Sequence, residues 1–130
     1  MLKNITYKDP VIKRDIDLAV GKAFSFWESL KMGGTGSQKF IITSASLEIQ
    51  ELLEKENATN YSNIELRPKG IIVGFKSHNQ VFGLILPFSK LKTEVGTGKL
   101  TLRTDDFFVK MKTFKGEVID SKFLRKIKAI

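Results

Sequence analysis

The stretch from Ile71 to Leu86, IIVGFKSHNQVFGLIL, constrains the fold more than any other part of the chain. With His78-Asn79 as the central pair of a two-residue turn, Ser77 faces Gln80. Phe75 then faces Phe82, Val73 faces Leu84 and Ile71 faces Leu86. Side chains alternate across a strand, so these apolar residues share one face of a hairpin, and a slip of one residue would scatter them. A type I′ turn asks for positive φ at both central residues, and Asn and His tolerate that better than most. His78, the only histidine, is therefore expected at a hairpin tip and not in a catalytic centre. On the opposite face the same register sets Gly74 against Gly83, a bare patch that predicts a sharp sheet bend or a close approach by another element. The first helix is the expected occupant.

The alternation extends both ways. Arg67-Pro68-Lys69-Gly70 is a turn that sets Leu66 against Ile71 and Ile64 against Val73. Thr104-Asp105-Asp106-Phe107 is another, pairing Leu102 with Val109 and Leu100 with Met111. Leu91 to Val95 forms a further short strand before Gly96-Thr97-Gly98, and Pro87 ends its strand where a missing N–H is tolerable. The expectation is an antiparallel meander of about five strands over 64–114, joined by Phe40–Thr43 or Lys3–Tyr7 if either pairs with it.

The first half reads as helical. Asp9 caps and Pro10 starts a helix whose stripe is Ile12, Ile16, Ala19, Val20, Ala23, Trp27 and Leu30. Phe24 and Phe26 widen the stripe, Gly33-Gly34 ends it, and Trp27 is expected in the core. GGTGSQK (33–39) lacks the Gly-Lys-Ser/Thr ending of a phosphate loop and reads as a flexible linker. A second helix over roughly 46–56, capped by Ser44 or Ser46, turns Ile49, Leu52 and Leu53 inward. Its Glu48, Glu51, Glu54 and Glu56 form a solvated face, with Glu51 and Lys55 paired. Asp120-Ser121 caps a terminal helix through Ile130 that packs Phe123, Leu124, Ile127 and Ile130 on the sheet. The fold class is α+β in a single domain of 130 residues, mainly helical over 1–60, with the sheet and C-terminal helix over 61–130.

Composition removes several chemistries. Without cysteine there is no disulfide, thiolate zinc site or cysteine nucleophile, and one histidine rules out a multi-histidine metal site within the chain. The opening MLKNITYKDPVIKRD has no apolar signal-peptide core, and no apolar run approaches the roughly 18 residues of a membrane span. A cytoplasmic protein is the expectation. The net charge of +8 lies wholly in the second half: residues 1–56 hold eight basic and eight acidic residues, residues 57–130 fourteen and six. Such a bias attracts phosphates, anionic lipid or acidic protein surfaces.

Leu66-Arg67-Pro68-Lys69-Gly70-Ile71-Ile72-Val73, followed by Leu84-Ile85-Leu86-Pro87-Phe88-Ser89-Lys90-Leu91, is similar to the PH-like superfamily, in its GRAM or bacterial PH-domain form. The resemblance spans residues 64–130. It implies a PH-like meander or partly open barrel with a C-terminal helix. The phosphoinositide signature of lipid-binding members, an Arg shortly after a Lys in the first hairpin, is missing, so lipid binding is not carried over.

The candidate anion- or partner-binding residues come from the last hairpin, where Lys99 faces Lys112, Arg103 faces Phe108, and Lys110 lies nearby. Like charges placed opposite each other cost stability unless an anion or solvent separates them. The leading reading is a non-enzymatic binding or scaffold module for a protein or anionic surface, needing no cofactor. Nucleic-acid binding is the alternative, and an enzyme without a recognisable motif ranks third. An exposed edge strand would also permit a homo-oligomer.

Overall fold

The hairpin forms in the register its alternation demands. The computed structural model describes residues 1–54 and 59–128, and within it strands β4 (Gly70–Ser77) and β5 (Gln80–Pro87) pair from Ser77↔Gln80 through Val73↔Leu84 to Gly70↔Pro87. His78 and Asn79 take φ of 50° and 62°, as a type I′ turn requires. Strand β3 (Tyr61–Arg67) pairs with β4, setting Leu66 against Ile71 and Ile64 against Val73. A second three-strand unit follows, made of β6 (Lys92–Gly96), β7 (Lys99–Arg103) and β8 (Phe108–Thr113).

The expected meander is interrupted. Strand β5 does not pair with β6; the two units join through β2 (Phe40–Ala45), which lies between β3 and β8. A short β1 (Leu2–Asn4) extends the other edge beside β5. Both conditional strands thus join, giving, among the described residues, one open eight-strand antiparallel sheet in the order β1-β5-β4-β3-β2-β8-β7-β6. GGTGSQK is no free linker either. Its Thr35 carbonyl accepts from Leu66 N, Ser37 N donates to the Ile64 carbonyl, and the Ser37 hydroxyl accepts from Ile64 N. These bonds satisfy the edge of β3 that β2 leaves uncovered.

The inner face carries the main core: Phe40, Ile42, Ile64, Leu66, Ile71, Val73, Leu84, Leu86, Leu100, Leu102, Val109 and Met111 are all buried. Helix α3 (Leu47–Glu54) adds Ile49 and Leu53, and α4 (Ser121–Lys128) adds Phe123 and Ile127. Ser46 precedes α3 and its carbonyl accepts from Gln50 N, but its side chain does not cap the helix: the hydroxyl exchanges hydrogen bonds with the Phe108 backbone. Glu48, Glu51 and Glu54 are solvated as expected, while Lys55, Glu56 and Ile130 lie outside the described residues. The buried Ser77 hydroxyl donates to the Leu52 carbonyl at 2.7 Å, closing the end of α3.

A smaller core lies on the outer face, where Ile16 and Val20 of α1 (Pro10–Val20) cover Ile72 and Ile85. Asp9 caps α1, accepting from Val11 N and Ile12 N. At its other end Lys69 N donates to the Val20 carbonyl, and Arg67 donates to the Gly21 carbonyl and Asp17. A guanidinium at a helix C-terminus complements the dipole. The Asp17 carboxyl is held below its ordinary range, first by the hydrogen bond from Lys13 and then, against partial desolvation, by Lys13 and Arg67 charge.

Two expectations about this region fail. The long first helix is two helices: Gly21, at φ 86° and ψ 163°, stops α1, and α2 (Phe26–Met32) restarts under a capping box between Ser25 and Glu28. Trp27, placed in the core by its spacing, is exposed, as are Phe26 and Leu30, because the break rotates α2 out of the α1 stripe. The Gly74–Gly83 pair is not crossed by α1. Ile5 covers Gly83, and α1 instead meets Gly70, through Val20.

Candidate anion-binding face

On β7 and β8 the apolar residues Leu100, Leu102, Val109 and Met111 point inward, so Lys99, Thr101, Arg103, Phe108, Lys110 and Lys112 point outward. The register brings Lys99 opposite Lys112, Thr101 opposite Lys110 and Arg103 opposite Phe108. All five residues singled out in the sequence therefore share one surface, with Lys99, Lys110 and Lys112 exposed. Arg103 is less available than the lysines. Its Nε lies 3.3 Å from Glu94 Oε1, and its guanidinium carbon is 5.6 Å from the Phe108 ring centre.

Insertion of β2 extends this surface beyond the last hairpin. Lys112 neighbours Ile41, and Ile41 neighbours Tyr61, so Lys99, Lys112, Ile41 and Tyr61 form one row across four strands. At about 4.8 Å between strands the row is roughly 14 Å long. At its β3 end Lys39 Nζ lies 4.6 Å from the Tyr61 ring centre and 5.2 Å from that of Phe114. The two rings meet edge-on at 5.7 Å, and Lys115 Nζ is 5.1 Å from Phe114. Lys39, Tyr61, Phe114 and Lys115 were missed in the sequence because they come from segments that no local turn joins to the last hairpin. The outward phase of Tyr61, set by inward Ile64 and Leu66, was the one available signal.

Among the described residues, Lys39, Lys99, Lys110, Lys112 and Lys115 enter no ion pair. Of the acids bordering the face, Glu94 is paired with Arg103 and Glu65 with Arg67, while the exposed Glu117 lines the same cleft as Lys99, Lys112 and Lys115. Beside the row Gly74 leaves bare backbone, and an open cleft of about 680 Å³ runs there between Lys39, Tyr61, Asn63, Lys76 and Val81. Cations held apart on a rigid sheet, with aromatic rings between them, can take an extended anion without chemistry.

His78 is exposed at the hairpin tip in the turn conformation already described. Among the described residues no group of three or more His, Cys, Asp or Glu side chains could hold a metal ion, and no helix is long and apolar enough to cross a membrane. Family models, curated proteins and solved structures give no match to this chain, so the face is interpreted from its own geometry.

Proposed function

We propose that the protein is a non-enzymatic binding module whose open sheet face docks on an anionic surface. The observation that carries this reading is the row Lys99–Lys112–Ile41–Tyr61, with Lys110 and Lys39 beside it. Two lysines placed directly opposite each other repel, an arrangement that is relieved when an anion sits between them. The PH-like superfamily remains the proposed kinship. Its support is the pair of hairpins at 64–86 and a terminal helix seated on the sheet through Phe123 and Ile127.

The test is salt-dependent binding to inorganic polyphosphate and to a single-stranded oligonucleotide, using the wild type and a K99E/K112E variant. Each neutralised phosphate contributes about −0.7 to the logarithmic salt slope on a single strand, so the variant should bind more weakly with a slope shallower by roughly 1–2. Absence of wild-type binding to either probe at low salt refutes the reading. Tyr61 favours nucleic acid as the second reading, because its ring is 43% exposed on the row and an aromatic on an open sheet can stack a base. In that case Tyr61→Ala weakens oligonucleotide binding and leaves polyphosphate binding unchanged.

A further inference from the structure

Helix α2 presents a projecting apolar surface. Phe26, Trp27 and Leu30 are 69%, 72% and 58% exposed, and the Phe26 and Trp27 rings meet edge-on at 5.4 Å. At 3.6 residues per turn positions i, i+1 and i+4 lie within about 100° of one another, so the three side chains project from one side of the helix and are not scattered exposures. The helix itself is held firmly. Ser25 and Glu28 cap its start, Gly33 and Gly34 close its end on the Leu30 and Ser29 carbonyls, and Met32 with neighbouring Phe24 packs on the inner core. An apolar knob on a well-anchored helix is not explained by folding.

The charges around it identify the occupant. Lys22 and Lys31 flank the knob along the chain, and both are exposed. Lys126 of α4 donates to the carbonyls of Met32 and Gly34, bringing α4, with its exposed Lys122 and Arg125, to the end of α2. The one acid on α2, Glu28, is bonded to Ser25, and those hydrogen bonds hold its carboxyl below the usual range. Exposed aromatic and aliphatic side chains with Lys31 on the same helix and the cations of α4 at its end match the headgroup boundary of an anionic bilayer, where rings partition and lysines meet lipid charge. A second copy docking the same patch about a two-fold axis would oppose the same lysines to themselves.

We infer that Phe26, Trp27 and Leu30 insert into the interface of an anionic membrane, with Lys22 and Lys31 meeting its headgroups. This surface lies on the inner-core side, away from the basic sheet face, so it stands or falls separately from the proposed function. Trp27 is the only tryptophan, which makes its emission a direct reporter. The full chain is titrated with vesicles of phosphatidylcholine containing phosphatidylglycerol, and with pure phosphatidylcholine. Anionic vesicles should shift the emission to shorter wavelength, and acyl-brominated lipid should quench it. A folded F26S/L30S variant, which keeps Trp27, should partition at least about tenfold more weakly. The K22E/K31E variant should lose the preference for phosphatidylglycerol. Unchanged emission with anionic vesicles overturns the inference, as does equal partitioning of F26S/L30S. A blue shift that grows with protein concentration in the absence of lipid also overturns it, in favour of self-association.

Discussion

Three glycines on the outer face, Gly70, Gly74 and Gly83, offer a graded test of how the sheet and α1 are fitted together. A Cβ on Gly70 would stand 2.5 Å from the Leu86 carbonyl oxygen, 2.5 Å from Val20 Cγ1 and 2.9 Å from Pro87 Cα. Ordinary carbon–oxygen contacts are near 3.3–3.6 Å, so the overlap approaches 1 Å against backbone fixed in the β4–β5 ladder. Overpacking of this kind costs typically 1–3 kcal/mol, and immovable backbone places G70A at the top of that range, about 3 kcal/mol. For a chain of this size each kcal/mol moves Tm by about 4 °C, giving a fall of about 12 °C. Gly83 differs, because its nearest neighbours are side-chain tips, Ile72 Cγ2 at 3.1 Å and Ile5 Cδ1 at 3.2 Å. These can yield by a few tenths of an ångström, so G83A should cost under about 1 kcal/mol, and G83V about 2. Gly74 meets Asn63 Oδ1 at 3.0 Å, on an exposed side chain that can swing away, and the Asn63 carbonyl oxygen at an ordinary 4.0 Å, so G74A should be near neutral. Thermal melts followed by circular dichroism, with urea titrations at constant slope, rank the three. Adding V20A to G70A should not restore stability, because the Leu86 carbonyl remains in the way. A G70A protein melting within about 2 °C of wild type, or below G83A in severity, would refute the close approach of the β5 backbone to Gly70.

Replacing Ser77 by Ala leaves the Leu52 carbonyl at the end of α3 without its donor, and urea unfolding should show a loss of about 1–2 kcal/mol. The Asp17 carboxyl has a folded pKa below its ordinary value of 3.8, so its contribution to stability is fully present above that value. It disappears as pH falls through the folded pKa; D17N should therefore be less stable than wild type at neutral pH, with the gap closing in acid, as denaturant midpoints against pH would show. On the basic face, K99E exchanges a like-charge pair for an opposite-charge pair. It should stabilise the sheet by a few tenths to about 1 kcal/mol at low salt and lose that gain at high salt, while weakening polyphosphate binding.

What was legible in the sequence follows from how each contact is encoded. The pairings Val73↔Leu84, Ile64↔Val73 and Leu100↔Met111 were readable because a turn of fixed length and two alternating apolar strands leave one register that buries every large side chain. Strand β1 has three residues and no alternation long enough to see. Strand β2 was visible as an apolar run, but its partners were not: Phe40 meets Thr113 and Ser62, and no local turn specifies either meeting. The break between α1 and α2 is encoded but masked by the periodicity. Gly21 and the Ser25-Phe26-Trp27-Glu28 capping pattern both mark it, yet the three-and-four spacing runs on from Ile16 to Leu30 across the interruption. Periodicity measures phase within a continuous helix; once the chain turns at Gly21, the same spacing no longer reports which side is buried.

The candidate face was half legible for the same reason. Lys99, Arg103, Phe108, Lys110 and Lys112 belong to one hairpin, and hairpin register alone put them on one surface. Whether that surface ended at Lys112 depended on the next strand, and nothing local to β8 specifies β2. Had β5 bordered β6, as an unbroken meander requires, the neighbours of the lysine pair would have been different. With β2 inserted, Ile41 and Tyr61 continue the row and Lys39 reaches the aromatic pair at its end. Helix α1 covers only the Ile72–Ile85 region of the outer face, so this continuation stays open to solvent. The local charge pattern supplies the repulsion between Lys99 and Lys112, while the long-range strand order supplies the extended surface on which an anion could relieve it.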